Sequence, residues 1–154
     1  MLNQSQKIKT LPEKMADFEN ACKKAGLKIT HQRLEVFREL AGSLDHPSAE
    51  GLYKRLQKKL PTISLDTVYR TLSTLEDHSI IIRVDTGESQ ARFEAKLEQH
   101  HHIICSQCGK ISDFQWDAFD GENLPRDVME WGSIGKRQVT LHGICNDCMK
   151  TSTV

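Results

Sequence analysis

The sequence has little that would make it fibrous, disordered or membrane-borne. Proline occurs only four times and aromatic residues make up 6% of the chain, while 38% is hydrophobic and 27% charged; this balance belongs to a globular protein and excludes a disordered or fibrous one. No apolar run approaches the length of a membrane-spanning helix. The opening residues MLNQSQKIKTLPEK lack the apolar stretch and small-residue cleavage site of a secretory signal. Export is therefore not expected, a cytoplasmic location is, and the thiols are expected to stay reduced. The five cysteines then read as ligands or core residues and not as disulfides.

An excess of charge of either sign is also missing, but the zero hides an asymmetry. Residues 1–83 carry 14 Lys+Arg against 10 Asp+Glu, a balance of +4, and residues 84–154 carry 7 against 11, a balance of −4. A length of 154 residues allows one domain or two small ones, and a core of that size gains from a metal or a partner subunit. A basic front half and an acidic back half rich in His and Cys imply two jobs, the second being to hold metal.

The front half has helical periodicity. Met15, Phe18, Ala21, Cys22 and Ala25 recur at three- and four-residue spacing over Glu13 to Ala25, with Gly26 placed to end the helix. Thr30 precedes a second run ending at Gly42, and Ser48 caps a third expected from Ala49 to Leu60, stopped by Pro61. Ser64 opens a fourth, with Val68, Leu72 and Leu75 as its buried stripe. The period then changes to two: Ile80 to Asp85 and Gln90 to Ala95 are strand candidates around an Asp85-Thr86-Gly87-Glu88 turn. Helix, turn, helix and hairpin make a winged helix-turn-helix, although a plain edge ribbon would give the same pattern. In the back half, Ile103-Ile104, Lys110 to Gln115 and Gln138 to Ile144 read as strands and Pro125 to Trp131 as a helix. The fold class is therefore α+β. The expected domains are a winged helix over 1–93 and an α/β dimerisation and metal-binding module over 94–154, with Thr151 to Val154 as a frayed end.

Cys105-Ser-Gln-Cys108 and Cys145-Asn-Asp-Cys148 carry the strongest chemical signal. Each CxxC turns two thiolates toward each other, and two such knuckles supply the four soft ligands of a closed, structural zinc site. The alternative is a pair of redox dithiols. A redox CxxC usually opens a helix after a strand, whereas Cys108 leads through Gly109 into a strand, which favours zinc. Just before the first knuckle lies His100-His101-His102. On an extended segment His100 and His102 share a face and His101 takes the other, so the outer pair can chelate an ion, with Glu94, Glu98 and Asp113 as nearby carboxylates. The plain alternative is a solvated polar turn. Thr67, Tyr69, Arg70 and Thr71 cluster near the start of the fourth helix, where a recognition helix presents groups to a major groove. Arg bonds guanine or phosphate; Tyr bonds phosphate or packs on a thymine methyl.

This combination resembles the ferric uptake regulator family of metal-dependent bacterial repressors. The matching stretches are Ala25-Gly-Leu-Lys-Ile-Thr30 with Gln32-Arg33, His46-Pro-Ser-Ala-Glu50, Asp66-Thr-Val-Tyr-Arg70, His100 to Cys105 with Cys108-Gly-Lys110, and Gly143-Ile-Cys145. The resemblance implies a regulatory metal held by His46, Glu94, His100, His102 and Asp113, of which spacing alone would have missed His46. It also implies DNA contacts at Tyr69, Arg70 and Lys28, the last in a minor groove. The mixed carboxylates leave the branch open, since the peroxide-sensing branch typically has two Asp and the iron-sensing branch two Glu. A third family site would fall on His101 and Asp120, but Arg137 stands where a His is usual, so that site is expected to be absent or weak. His31 replaces a usual Pro without a mechanism to name, and His142 reads as a packed or solvent-facing residue. Cys22 reads as core, His78 as a helix C-cap, and Trp116 and Trp131 as packing in the α+β module or at a dimer surface.

The function expected from all this is a homodimeric, metal-dependent transcriptional repressor with structural Zn2+ and regulatory Fe2+ or Mn2+, zinc being a further option at the regulatory site. Its partner would be double-stranded palindromic operator DNA and not a membrane, and its targets iron uptake or metal homeostasis. The alternative is a repressor that senses peroxide through metal-catalysed His oxidation. A metal-dependent hydrolase is the rival from another class, and it lacks an evident base or nucleophile beside the metal.

Overall fold

In the computed structural model, which describes residues 8–152, the chain divides into two units, the first running to Leu97 and the second starting at Glu98. Each is described by itself.

The first unit has four helices and a hairpin. α1 (Leu11–Ala25) starts two residues before the expected Glu13, because Thr10 accepts from the Glu13 N–H at 3.4 Å while Glu13 Oε2 accepts from the Thr10 N–H at 2.7 Å. This reciprocal box satisfies amides that would otherwise be orphaned at the helix start. Gly26 ends α1 at φ 69°, the left-handed conformation that closes a helix at least cost without a Cβ. α2 (His31–Ala41) is capped by Thr30 and α4 (Leu65–Asp77) by Ser64. His78 follows α4, its Nδ1 2.8 Å from the Thr74 carbonyl.

α3 (Ala49–Leu56) is one turn shorter than the expected helix to Leu60. The Lys59 N–H turns back to the Leu56 carbonyl at 2.9 Å, closing a tight turn before Pro61. One apolar cluster holds the helices: Phe18 stacks on Phe37 at 4.2 Å, and Leu40, Leu52, Leu56, Val68, Leu72 and Leu75 are buried with them. At roughly 1.5–3 kcal/mol for each large side chain, this burial is the first unit's main stabilising term. Cys22 is part of it.

β1 (Ile82–Val84) and β2 (Arg92–Glu94) form the antiparallel wing hairpin, with Ile82 opposite Glu94. Both strands are shorter than expected. The domain boundary expected after Phe93 falls inside this hairpin, where Glu94 is laddered, and the first unit runs on to Leu97.

The second unit is a three-stranded sheet with short helices. β3 (His101–Cys105) lies centrally, antiparallel to β4 (Ile111–Phe114) and parallel to β5 (Thr140–Gly143). A parallel neighbour needs a crossover, here carried by α5 (Asp117–Gly121) and α6 (Arg126–Trp131). α7 (Asn146–Thr151) follows β5. Neither α5 nor α7 was expected; both are too short to show a helical period. Thr151 belongs to α7 and not to a frayed end, its hydroxyl donating to the Cys148 carbonyl at 2.9 Å, and 153–154 lie outside the described residues.

Candidate metal centres and nucleic-acid interface

The parallel register of β3 with β5 sets Cys105 opposite Gly143, so the two knuckles follow adjacent strand ends. The Ser106 N–H donates to the Gly143 carbonyl at 2.8 Å and ties them together. Gly109, at φ 74°, lets the first knuckle turn back into β4, with its N–H on the Cys105 carbonyl at 2.9 Å. The sulfurs of Cys105, Cys108, Cys145 and Cys148 all lie within 4.8 Å of one another. Backbone N–H groups of Cys108 and Cys145 hold the Cys105 thiol down at about 6, and the Cys145 N–H lies 3.3 Å from its sulfur. Cys148 is pushed up to about 12, chiefly by its hydrogen bond with Cys145. A soft, convergent four-sulfur set fits zinc and leaves no position for substrate. The second knuckle does open a helix after a strand, the arrangement associated with redox pairs. The convergence of all four sulfurs, not the helix, separates the two chemistries here.

The triple-His segment divides as the pleat requires. His100 and His102 bring their Nε2 atoms within 3.1 Å, and Asp113 lies opposite His102 in the ladder, with an oxygen 3.5 Å from His102 Nε2 and 3.9 Å from His100 Nε2. His100 Nδ1 sits 2.6 Å from the Glu98 carbonyl. That contact places the proton on Nδ1 and leaves the Nε2 lone pair for an ion, the usual outer-shell arrangement of a ligating imidazole. Glu98 contributes here through its backbone and not through its carboxylate. Both rings are buried.

His101 faces the other way and is fully buried. Its Nδ1 accepts the Val139 N–H at 3.0 Å, so its Nε2 carries the proton toward Asp120, 3.1 Å away. Gln99 donates to Asp120 at 3.1 Å and to the Arg137 carbonyl at 2.7 Å. The Arg137 guanidinium turns to the carbonyls of Glu122 and Phe119, at 2.7 and 3.3 Å. Protein groups thus satisfy this third His–carboxylate pair.

In the first unit His46 and Glu94 are both buried, and His46 Nε2 lies 3.0 Å from Glu94 Oε2. A second imidazole–carboxylate pair is therefore preset, between the loop before α3 and the wing strand β2 beside it. Sequence reading missed the residue beside it: Arg92, two positions before Glu94, donates to the carbonyls of His46 and Asp45. Only strand alternation, which puts Arg92 and Glu94 on one face, could have pointed there.

Of the DNA-contact candidates, Tyr69 and Arg70 project from α4, 42% and 81% exposed, and Lys28 is exposed ahead of α2. Thr67 is not free to reach out in the same way, since its hydroxyl lies 2.8 Å from the capping Ser64 Oγ. Arg70 pairs with Asp66 at 2.8 Å. Tyr69 donates its hydroxyl to Glu50, whose other oxygen accepts Gln90 at 2.9 Å. Sequence reading also missed this link from recognition helix to wing. His142 is exposed.

Known proteins carry the same architecture. The chain is 32% identical to the peroxide-responsive repressor PerR of Staphylococcus epidermidis over 145 residues, covering 94% of this chain and 96% of that one. The structure of the Helicobacter pylori ferric uptake regulator Fur, described as having three functional metal binding sites, superposes with a TM-score of 0.74 at 31% identity over 92% of this chain and 95% of that one. A zinc-bound manganese uptake regulator superposes at 0.65 with 32% identity, covering 83% and 98%. Among the described residues no helix is long and apolar enough to cross a membrane. With residues 24–131 matching its family model, the chain belongs to the ferric uptake regulator family of transcription regulators.

Proposed function

We propose that the protein is a cytoplasmic, homodimeric repressor whose binding to palindromic operator DNA depends on a divalent metal, and that it controls iron uptake or metal homeostasis. The observation that carries this reading is the buried His100–His102 pair, with its proton parked on the far nitrogen of His100, next to a closed four-sulfur set. Zinc in the sulfur set of Cys105, Cys108, Cys145 and Cys148 holds the second unit. Fe2+ or Mn2+, or zinc at high supply, takes His46 and Glu94 from the first unit and His100, His102 and Asp113 from the second. Imidazole and carboxylate donors suit all three ions. An ion that needs ligands from both units binds best to one arrangement of them; if DNA binds best to the same arrangement, metal and DNA stabilise each other's binding. Tyr69, Arg70 and Lys28 make the DNA contacts, with Thr67 holding the start of α4. A third ion at His101 and Asp120 is absent or weakly held, since Arg137 supplies no imidazole there and the His101 Nδ1 already accepts the Val139 N–H.

The test is operator binding titrated against iron, manganese and zinc under anoxia. The wild type is expected to bind only when metal is supplied beyond the structural zinc. His100→Ala with His102→Ala is expected to abolish this metal-dependent operator binding while one zinc per chain is retained. Metal-independent operator binding by the wild type would overturn the reading.

The likeness to peroxide-responsive repressors favours a second reading, in which peroxide transfers one oxygen atom to a ligand imidazole at bound iron and leaves as water. The length of Glu94 argues against it: a carboxylate long enough to bind through both oxygens closes the position that peroxide would need, and one that swings away more readily than Asp leaves the iron less reactive. Mass spectrometry after a low peroxide dose separates the two. One added oxygen on His46 or His100 in the iron-loaded wild type would favour peroxide sensing, and Glu94→Asp is expected to increase that oxidation.

A further inference from the structure

His46 is one of two non-glycine residues among those described with a positive φ, at 49°. A left-handed backbone is unfavourable for a residue with a Cβ, although His adopts it more readily than most. The next residue is Pro47, whose ring pushes the residue before it toward extended conformations. The conformation must therefore be imposed by contacts from elsewhere in the first unit, as strained residues at functional positions are.

Those contacts converge on the short loop between α2 and α3. The Arg92 guanidinium donates through Nε to the His46 carbonyl and through Nη2 to the Asp45 carbonyl, the latter at 2.9 Å. The next residue of β2, Phe93, donates its N–H to the Pro47 carbonyl at 3.0 Å, and Ser48 bridges to Arg92. From the other side Arg55 of α3 donates to the Asp45 carboxylate and to the Ser43 hydroxyl, the latter at 2.9 Å. The loop is held at both ends by guanidinium groups, and the strand that supplies one of them also supplies Glu94, 3.0 Å from His46 Nε2.

We propose that Arg92 is a positioning residue for the regulatory metal. By fixing the carbonyls of Asp45 and His46, which belong to the two peptides flanking the strained Cα, it holds His46 left-handed and aims the imidazole at Glu94 before any ion arrives. Because Arg92 lies in the wing, the ligand pair and the wing strand form one rigid piece. This rests on the reading that His46 and Glu94 are ligands. Removing an outer-shell group of this kind typically lowers metal affinity roughly 10- to 100-fold.

The experiment measures Mn2+ affinity of the zinc-loaded full-length protein by electron paramagnetic resonance, with zinc content and urea unfolding measured in parallel. Arg92→Met is expected to weaken Mn2+ binding by roughly 10- to 100-fold at unchanged zinc content, and Arg92→Lys, which keeps one donor, to recover part of the loss. Arg55→Met, which loosens the other end of the loop, is expected to give a smaller loss and serves if Arg92→Met does not fold. Folded variants with wild-type Mn2+ affinity overturn the proposal, and so does a fall in stability alone. A wild type that takes up no Mn2+ beyond its zinc would instead sink the ligand reading, and the proposal with it.

Discussion

From Met15 to Phe93 the apolar side chains close over one another: Phe18, Leu40, Leu52, Leu72 and Leu75 are all at most 2% exposed and belong to one cluster. From Glu98 onward, the buried apolar residues among those described are Ile104, Cys105 and Ile111. His100, His101 and His102 are buried as deeply there as any apolar side chain, while Trp131, Met129, Met149 and Ile144 stand exposed. A segment that short cannot bury enough apolar surface to offset its conformational entropy by packing alone. The first unit is ordered by exclusion of water. Under the proposal above, the second depends on zinc at the knuckles and on a second copy to cover its apolar face. Regulation by metal, as proposed, follows from that difference, because the second unit keeps donors where a core would otherwise be.

The largest effect is expected from breaking the second unit's substitute for a core. Cys105→Ser or Cys145→Ser removes one of four zinc ligands whose binding is part of the folding free energy of so small a module. The second unit is expected to unfold and the dimer to dissociate, while the first unit keeps its own cooperative transition. Analytical ultracentrifugation with hydrogen exchange resolved along the chain checks both halves of this. A stable dimer at full helicity would show that the second unit is packed better than its burial indicates.

The converse lesion sharpens the comparison from the other side. Leu52 is fully buried in the first unit's cluster, and Leu52→Ala is expected to cost about 2–5 kcal/mol through lost transfer energy and the cavity left behind. Zinc content should stay at one per chain. Loss of zinc along with the first unit would mean that the two do not fold by separate means.

The same contrast explains what could be read from the residues alone. α2 and α4 were legible because a capping Thr or Ser precedes a 3.6-residue apolar stripe, α1 because its stripe runs into Gly26, and the four cysteines because CxxC spacing states its own geometry. α5 and α7 were not legible: five or six residues do not complete two turns, and their order comes from the sheet and the knuckle beside them. The end of α3 was missed because Leu60 continues the apolar stripe although the backbone has already turned at Lys59. His46 became visible only through resemblance, since a left-handed residue before proline has no periodic signature. Arg92 and Glu50 stayed hidden because one binds backbone carbonyls and the other a side chain 19 residues away, neither of which a spacing rule registers.

A smaller effect is expected at the DNA-facing helix, where the first unit's surface and not its core is at stake. Arg70 is held by Asp66 at 2.8 Å on a highly exposed face, so it must leave that partner to reach DNA. Arg70→Ala should weaken specific binding by roughly 1–3 kcal/mol if Arg70 reads a base, or nearly uniformly over all sequences if it holds a phosphate. Asp66→Asn should strengthen binding several-fold at low salt, since it removes both the competing partner and a repelling charge. Electrophoretic mobility shifts on operator and scrambled DNA across a salt series read both. Unchanged affinity for Arg70→Ala would move the recognition surface elsewhere on the first unit.

The smallest effect is expected from the link between recognition helix and wing. Tyr69 donates its hydroxyl to Glu50, and that bond is the main cause that lowers the Glu50 carboxyl below its usual 4.5 and raises Tyr69 above its usual 10.0. The two shifts describe one bond, which needs Glu50 ionised and Tyr69 protonated. A lowered carboxyl contributes stability that is complete above its ordinary value and is lost as pH falls through the lowered one. A raised hydroxyl contributes stability that is complete below its ordinary value and is lost as pH rises through the raised one. The bond should therefore contribute fully between about 4.5 and 10 and fade on both sides. Because both groups face solvent, screening should keep the coupling below about 1 kcal/mol. A double-mutant cycle of Glu50→Gln and Tyr69→Phe, read on the first unit's own urea transition, should show that coupling at pH 7 and lose it at the acid end. A coupling that persists unchanged at pH 3 would mean that the charge on Glu50 is irrelevant to the bond, and that the wing is held to the recognition helix by packing alone.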